Sequence, residues 1–331
     1  MFERLDFANY QSGNVAKRDQ FCRKLVSGLR QRGFVRLVNH GIEPSTIDKA
    51  FATSRHFFQL PLNQKLKSPH PPTANPHRGF SAVGLENVST ISNYGREDKS
   101  SQLPLLKDMK ESYDIGSERD ELYSNIWPPT GVCDTFEPTF VEFFEVCYRT
   151  QLLILEAISI GLGLPTQTLS QLHAAQHNEL RLTHYPAVPQ EAFSTSTRIA
   201  AHTDFGSITL LFQDRVGGLE VESPPGSGSF VGIASGGPYE CILNAGDCLQ
   251  KWTGLCSARH RVHLPELPQG NEQARKGDVV EERFSIAYFA KPDRTAVLRP
   301  LLDGSGLGAK VSSEFVTAGE FQHMRIQGRY A

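Results

Sequence analysis

The sequence contains no Cys-x-x-Cys pair, no large excess of charge of either sign and no apolar run long enough to cross a bilayer. Six cysteines, Cys22, Cys133, Cys147, Cys241, Cys248 and Cys256, are scattered along it. That spacing fits neither a zinc cluster nor the dense disulfide framework of a small secreted domain, so reduced, mostly buried thiols are expected. With 34 basic and 36 acidic residues the formal net charge is -2. No global field then favours a phosphate backbone or an anionic membrane surface. The most apolar stretch, 152–164, is interrupted by Glu156 and is too short to span a bilayer. The beginning, Met1-Phe2-Glu3-Arg4-Leu5-Asp6, carries acidic residues and no apolar h-region, so no secretory signal is read there. What remains is a globular, cytoplasmic protein without nucleic-acid or membrane partners, a monomer or weak oligomer. Its 331 residues, 39% of them hydrophobic, suffice for a sizeable core.

Residues 16–31 carry Phe21, Leu25 and Leu29 on one side of an amphipathic helix that Gly33 ends, and Phe34 to Val38 reads as a strand. Pro44 opens a second helix bearing Ile47, Phe51 and Phe58. Residues 61–80, with Pro69, Pro71, Pro72 and Pro76, read as a loop without regular structure. A long helix is predicted over 136–164, its aromatic stripe of Phe140, Phe143 and Phe144 serving core packing. From 179 to 290 the texture changes to short runs between Gly and Pro turns. Strands are predicted at 179–185, 206–213, 218–222, 229–233, 240–244, 247–252, 259–264 and 282–290, the pattern of a β-sandwich or jelly roll. A terminal helix is predicted over 315–329, after Ser312-Ser313, as a packing element or an active-site lid.

The chemistry gathers at Ala201-His202-Thr203-Asp204-Phe205-Gly206. In a strand, residues two apart face the same side, which would aim His202 and Asp204 together. A second imidazole, His260, lies far downstream in another strand-like run. Two imidazoles and one carboxylate on one side of a metal leave its other side open, as in non-haem Fe(II) oxygenases. Such a metal needs a source of electrons for O2, usually a 2-oxo acid, whose far carboxylate needs a cation. Arg283 and Ser285 share a strand face and offer a guanidinium fork plus a hydroxyl. Thr183 and Tyr185 form a third such pair.

Several segments carry a family resemblance: Gly33-Phe34-Val35-Arg36-Leu37-Val38-Asn39-His40-Gly41-Ile42, Lys110-Glu111-Ser112-Tyr113-Asp114-Ile115-Gly116, His202-Thr203-Asp204-Phe205-Gly206 through Val221, Asn244-Ala245-Gly246-Asp247, His260-Arg261-Val262 and Arg283-Phe284-Ser285. Together they resemble a 2-oxoglutarate/Fe(II)-dependent dioxygenase of the isopenicillin N synthase-like family. The resemblance implies that His202, Asp204 and His260 bind Fe(II), and that Arg283, Ser285 and Tyr185 hold 2-oxoglutarate. Thr183 stands where many members have Asn. The Asn39-His40 turn is read as structural. The implied fold is α+β, a double-stranded β-helix (distorted jelly roll) core with supporting helices and an N-terminal mixed α/β region. Its expected parts are an N-terminal region over 1–120, a linking long helix within 121–175, the jelly-roll core over 176–295 and a C-terminal extension over 296–331. The implied activity is oxidation of a small-molecule metabolite with O2, releasing succinate and CO2.

Arg78, Phe80, His184, Phe205, Tyr288 and Phe289 are the candidate substrate contacts, Arg78 and His184 suiting an acidic or phenolic group. Asp204-Phe205-Gly206 is also a kinase metal motif, but no Gly-rich loop, strand lysine and His-Arg-Asp precede it in order. The other readings are a zinc hydrolase, an Fe(II) oxidase of the same fold that does not use 2-oxoglutarate, and a non-catalytic jelly-roll binding protein.

Overall fold

The computed structural model describes residues 2–72, 77–86, 107–264, 279–302 and 315–326. Its strands are β1 (Arg4–Asp6), β2 (Phe34–Val38), β3 (Gly79–Ser81), β4 (Lys107–Asp108), β5 (Glu111–Gly116), β6 (Glu179–Tyr185), β7 (Val188–Pro189), β8 (Ser196–Thr197), β9 (Ile199–His202), β10 (Ile208–Gln213), β11 (Leu219–Glu222), β12 (Phe230–Gly232), β13 (Cys241–Ala245), β14 (His260–Val262), β15 (Val279–Val280) and β16 (Arg283–Ala290). A major sheet runs β1-β2-β13-β10-β16-β6-β5-β3 and a minor sheet β12-β11-β14-β9. Every pairing in the major sheet is antiparallel except β1 with β2. The result is the expected α+β fold with a jelly-roll core. The N-terminal strands extend both edges of the major sheet, β1 and β2 on one side, β3 and β5 on the other.

The two faces of the major sheet do different work. Along β16, Phe284, Ile286, Tyr288 and Ala290 join the large apolar cluster on the helical side. Their neighbours Arg283, Ser285, Ala287 and Phe289 line a cavity between the sheets. The helical side is filled from the helix Phe136–Gly161, whose Phe136, Phe140, Phe143, Phe144 and Cys147 are buried at helical spacing. Phe143 meets Phe212 edge-on at 5.6 Å and Phe144 meets Tyr288 at 5.2 Å. Tyr185, Leu219, Val221, Ile242 and Val262 form a smaller cluster between the sheets. Burial of this apolar surface, at roughly 25 cal/mol per Å², is the main term that holds the layers together.

The helix Val15–Arg32 starts at Asn14, whose side chain accepts from Lys17 N, and stops at Gly33 with φ 71°. Pro44–Phe58 forms the second expected helix. All six cysteines are free thiols. Asn39 takes the left-handed φ of 52° in its turn, and His40 is buried with Nε2 donating to the Tyr239 carbonyl at 3.2 Å.

Three expectations need correction. Residues 247–252 are a helix, Asp247–Thr253, not a strand. The run is too short for its period to separate the two. Gly246 enters it extended, Gly254 leaves it at φ 73°, and Cys248, Leu249 and Trp252 are buried along it. The 61–80 segment holds a helical turn, Leu62–Lys65, and the strand β3; Pro76 lies outside the described residues. The C-terminal helix spans Ala318–Ile326. Thr317 Oγ1 accepts from Glu320 N–H at 3.3 Å, and Glu320 Oε2 accepts from Thr317 N–H at 2.8 Å, a capping box that sets its start. Ser312-Ser313 and the end of the expected helix lie outside the described residues.

A Cβ on Gly33 would sit 2.6 Å from the Cys256 carbonyl oxygen, whereas one on Gly13, also at positive φ, would meet nothing within 4 Å. Gly33→Ala should therefore cost about 2 kcal/mol or more in thermal unfolding, and Gly13→Ala about 1 kcal/mol from backbone strain alone. Equal losses in the two variants would contradict this packing.

Candidate active site

Strand pairing brings the two imidazoles together. His260 on β14 lies opposite His202 on β9, with ring centroids 4.4 Å apart. Asp204 reaches them differently from the expected shared strand face. The chain leaves the minor sheet at His202 and enters the major sheet at Ile208, and Asp204 lies in the turn between. That turn brings Asp204 Oδ1 to 3.8 Å from His202 Nε2 and 3.7 Å from His260 Nε2. The three ligating atoms all lie within 4.8 Å of one another.

The other carboxylate oxygen faces the major sheet. Asp204 Oδ2 accepts from Thr209 Oγ1 at 2.6 Å and from Asn244 Nδ2 at 2.7 Å. Burial alone would raise this carboxyl, but His260, His202 and those two donors outweigh it and hold the group below its ordinary value. The carbonyls of Ala200 and Ala258 accept from Nδ1 of His202 and His260 at 2.9 and 3.3 Å. With each Nδ1 turned to a backbone carbonyl, both Nε2 atoms face Asp204 Oδ1, the donor set of an open-faced metal site.

The turn is also held from outside. Asp247 N–H donates to the Asp204 carbonyl at 2.8 Å, and Asp247 Oδ2 accepts from Thr203 Oγ1 at 3.2 Å. From the C-terminal helix, Arg325 Nη2 donates to Thr203 Oγ1 at 3.0 Å and its guanidinium lies 4.8 Å over the Phe205 ring. That helix thus braces the turn that carries Asp204 and follows directly on His202.

At the far end of the same cavity, Arg283 and Ser285 lie opposite Tyr185 and Thr183 across β16 and β6. Arg283 is fully buried; its Nη2 donates to Gln213 Oε1 at 2.7 Å and its Nη1 to Ser285 Oγ at 3.3 Å. No carboxylate pairs with it among the described residues, and Arg283 Nε and Gln213 Nε2 are buried without a partner. A buried guanidinium with donors to spare fits a carboxylate ligand. The cavity, about 100 Å³, joins this end to the triad.

Of the six candidate substrate contacts, the structure brings Phe205 and Phe289 to the cavity beside the triad. The other four lie elsewhere. His184 and Tyr288 fall on the helical face, because the period of two that turns Thr183, Tyr185 and Phe289 inward turns them outward. His184 stacks on Phe284 at 4.5 Å and bonds Glu111 through Nδ1 at 2.8 Å. Phe80 is core, 5.9 Å from Phe57. Arg78 is buried beside a second, polar cavity, donating to Asp120 at 3.1 Å and lying 3.7 Å from Glu179. Sequence reasoning assigned no role to Thr209, Asn244 or Gln213. Thr209 and Gln213 sit on the cavity face of the strand after the triad turn, the one signal that marks them.

The profile described as non-haem dioxygenase in morphine synthesis, N-terminal, matches residues 3–130, and that of the 2OG-Fe(II) oxygenase superfamily matches residues 176–292. A 2-oxoglutarate-Fe(II) type oxidoreductase of Metarhizium rileyi is 39% identical over 97% of this chain and 89% of its own length. The chain belongs to the isopenicillin N synthase-like family of 2-oxoglutarate/Fe(II)-dependent oxygenases. It is also similar to a proline hydroxylase of Petromyces alliaceus, at 40% identity over 99% of both chains. The crystal structure of a full-length Neurospora crassa protein in complex with alpha-KG and thymine superposes with a TM-score of 0.82, at 32% identity over 98% of this chain and 96% of that one. This oxygenase is therefore an enzyme that uses Fe(II), 2-oxoglutarate and O2. No helix among its described residues is long and apolar enough to cross a membrane.

Asn244→Leu removes one of the two donors to Asp204 Oδ2. Outer-shell losses of this kind cost about 10–100-fold in metal affinity, so Fe(II) measured by anaerobic equilibrium dialysis should bind about tenfold more weakly. Unchanged affinity would show that Thr209 alone fixes the carboxylate.

Proposed function

We propose that this oxygenase oxidises a small-molecule metabolite in natural-product biosynthesis, by hydroxylation, desaturation or oxidative ring rearrangement, and converts 2-oxoglutarate to succinate and CO2 as it does so. In this reading His202, Asp204 and His260 hold Fe(II), and Arg283, Ser285, Tyr185 and Thr183 hold the co-substrate. The observation that carries it is the union, in one cavity, of an open-faced triad with a buried arginine that has no carboxylate partner among the described residues. The relatives, one named as a proline hydroxylase and one crystallised with thymine, support a substrate of that size.

The register orders the ligands. Ser285 pairs with Gln213 and Phe289 with Thr209, so the arginine anchor lies toward one end of β16 and Phe289 toward the other, level with the threonine that bonds Asp204. Bound iron supplies the redox chemistry for O2 at the co-substrate's expense. The chain's own residues do the rest. Arg283 fixes the far carboxylate so that the 2-oxo group reaches the open side of the triad, Asp204 and the imidazoles hold the metal, and Phe205 and Phe289 keep the oxidised carbon in a dry space.

The test is succinate release under air with Fe(II), 2-oxoglutarate and a panel of small metabolites. Wild type should release succinate in step with product, and Arg283→Ala should raise the KM for 2-oxoglutarate by about tenfold or more through loss of charge-assisted hydrogen bonds. Product formation at full rate without any 2-oxo acid would overturn the reading.

A further inference from the structure

Behind the co-substrate end of the cavity lies a second buried cation, which packs on the wall residue Tyr185 without itself lining the cavity. Arg198, between β8 and β9, is fully buried. Its guanidinium lies 5.7 Å from the centroid of the Tyr185 ring, and that of Arg283 lies 4.8 Å from it. One tyrosine is thus flanked by two buried positive charges. Arg198 Nη2 donates to the Glu281 carbonyl, while its Nε and Nη1 are buried with no partner among the described residues. Neither arginine has a carboxylate within ion-pair distance among the described residues. Asp214 is the acid whose charge reaches Arg198, and its carboxylate already accepts from the amides of Val216 and Phe284.

Two like charges this close, out of water and without a counter-ion, are costly. Burial first, and then the charge of Arg283, pull the Arg198 guanidinium down to about 10, which still leaves it charged at neutral pH. Elsewhere this protein neutralises its buried arginines: Arg181 is bound by both Asp114 and Glu86. The pair around Tyr185 instead leaves its positive charge for a ligand.

We propose that Arg198 is a positioning residue for the co-substrate, a second positive charge that, behind Tyr185, makes the site select a 2-oxo acid with a distal carboxylate over one without. Arg283 contacts that carboxylate; Arg198 does not line the cavity and acts through the field it adds across the Tyr185 ring. The inference rests on the co-substrate role proposed for Arg283.

The test compares two probes, 2-oxoglutarate and pyruvate, titrated anaerobically into the Fe(II)-loaded protein and followed by the visible charge-transfer absorption of the chelate. Arg198→Gln should weaken 2-oxoglutarate binding about tenfold and leave pyruvate binding unchanged, and Arg198→Lys should restore most of the loss. A merely structural role would weaken both oxo acids alike. That result, or unchanged binding of both, overturns the proposal. The Arg283→Ala protein tests it without touching Arg198: it should keep a preference of about tenfold for 2-oxoglutarate over pyruvate, and complete loss of preference counts against a second cation. If wild type forms no complex with 2-oxoglutarate at all, the failure lies in the underlying co-substrate reading.

Discussion

The structure depends on one carboxylate serving two sheets. Asp204 Oδ2 is tied to Thr209 and Asn244 of the major sheet, and Oδ1 faces the histidines of the minor sheet. The turn that carries it is the point where the chain crosses from one sheet to the other. A buried carboxylate is tolerable only where donors and positive charge surround it, so the site cannot be shifted without unsatisfying several groups at once. The close approach of Gly246 to this turn follows from the same demand, since a Cβ there would lie 2.4 Å from the Gly206 carbonyl oxygen.

Electrostatic contrast separates supporting arginines from the ligand anchor. Arg181 and Arg283 lie on the cavity face of neighbouring strands. Arg181 makes bonds of 2.7 and 2.8 Å to Asp114 and two of 3.0 Å to Glu86, which Lys110 also neutralises. Its charge is consumed inside the fold. Among the described residues Arg283 has only neutral hydrogen-bond partners, and the guanidinium fork is held in place by them without being neutralised. Residue type alone would not distinguish the two; the partners do.

Much of this was legible in the sequence because the jelly roll repeats a period of two. That period places Thr183 with Tyr185 and Arg283 with Ser285 on one wall. The same rule, carried one residue further, excludes His184 and Tyr288 from the wall, and applying it to both neighbours would have removed them from the candidates. Asp204 was legible as a residue but not by its reason, since a turn and not a strand presents it. Residues 247–252 were misread because so short a run between Gly246 and Gly254 satisfies either period. Asn244, Arg198 and Arg325 act through contacts across long sequence separations, and a local pattern carries no trace of such contacts.

The central claim, that the triad and Arg283 form one site that would hold Fe(II) and 2-oxoglutarate together, is tested most directly by adding 2-oxoglutarate anaerobically to the Fe(II)-loaded wild-type protein. The expected result is a visible charge-transfer absorption that saturates at one 2-oxoglutarate per chain and is absent in Asp204→Ala. Bound Fe(II) with no such absorption at any 2-oxoglutarate concentration would contradict it.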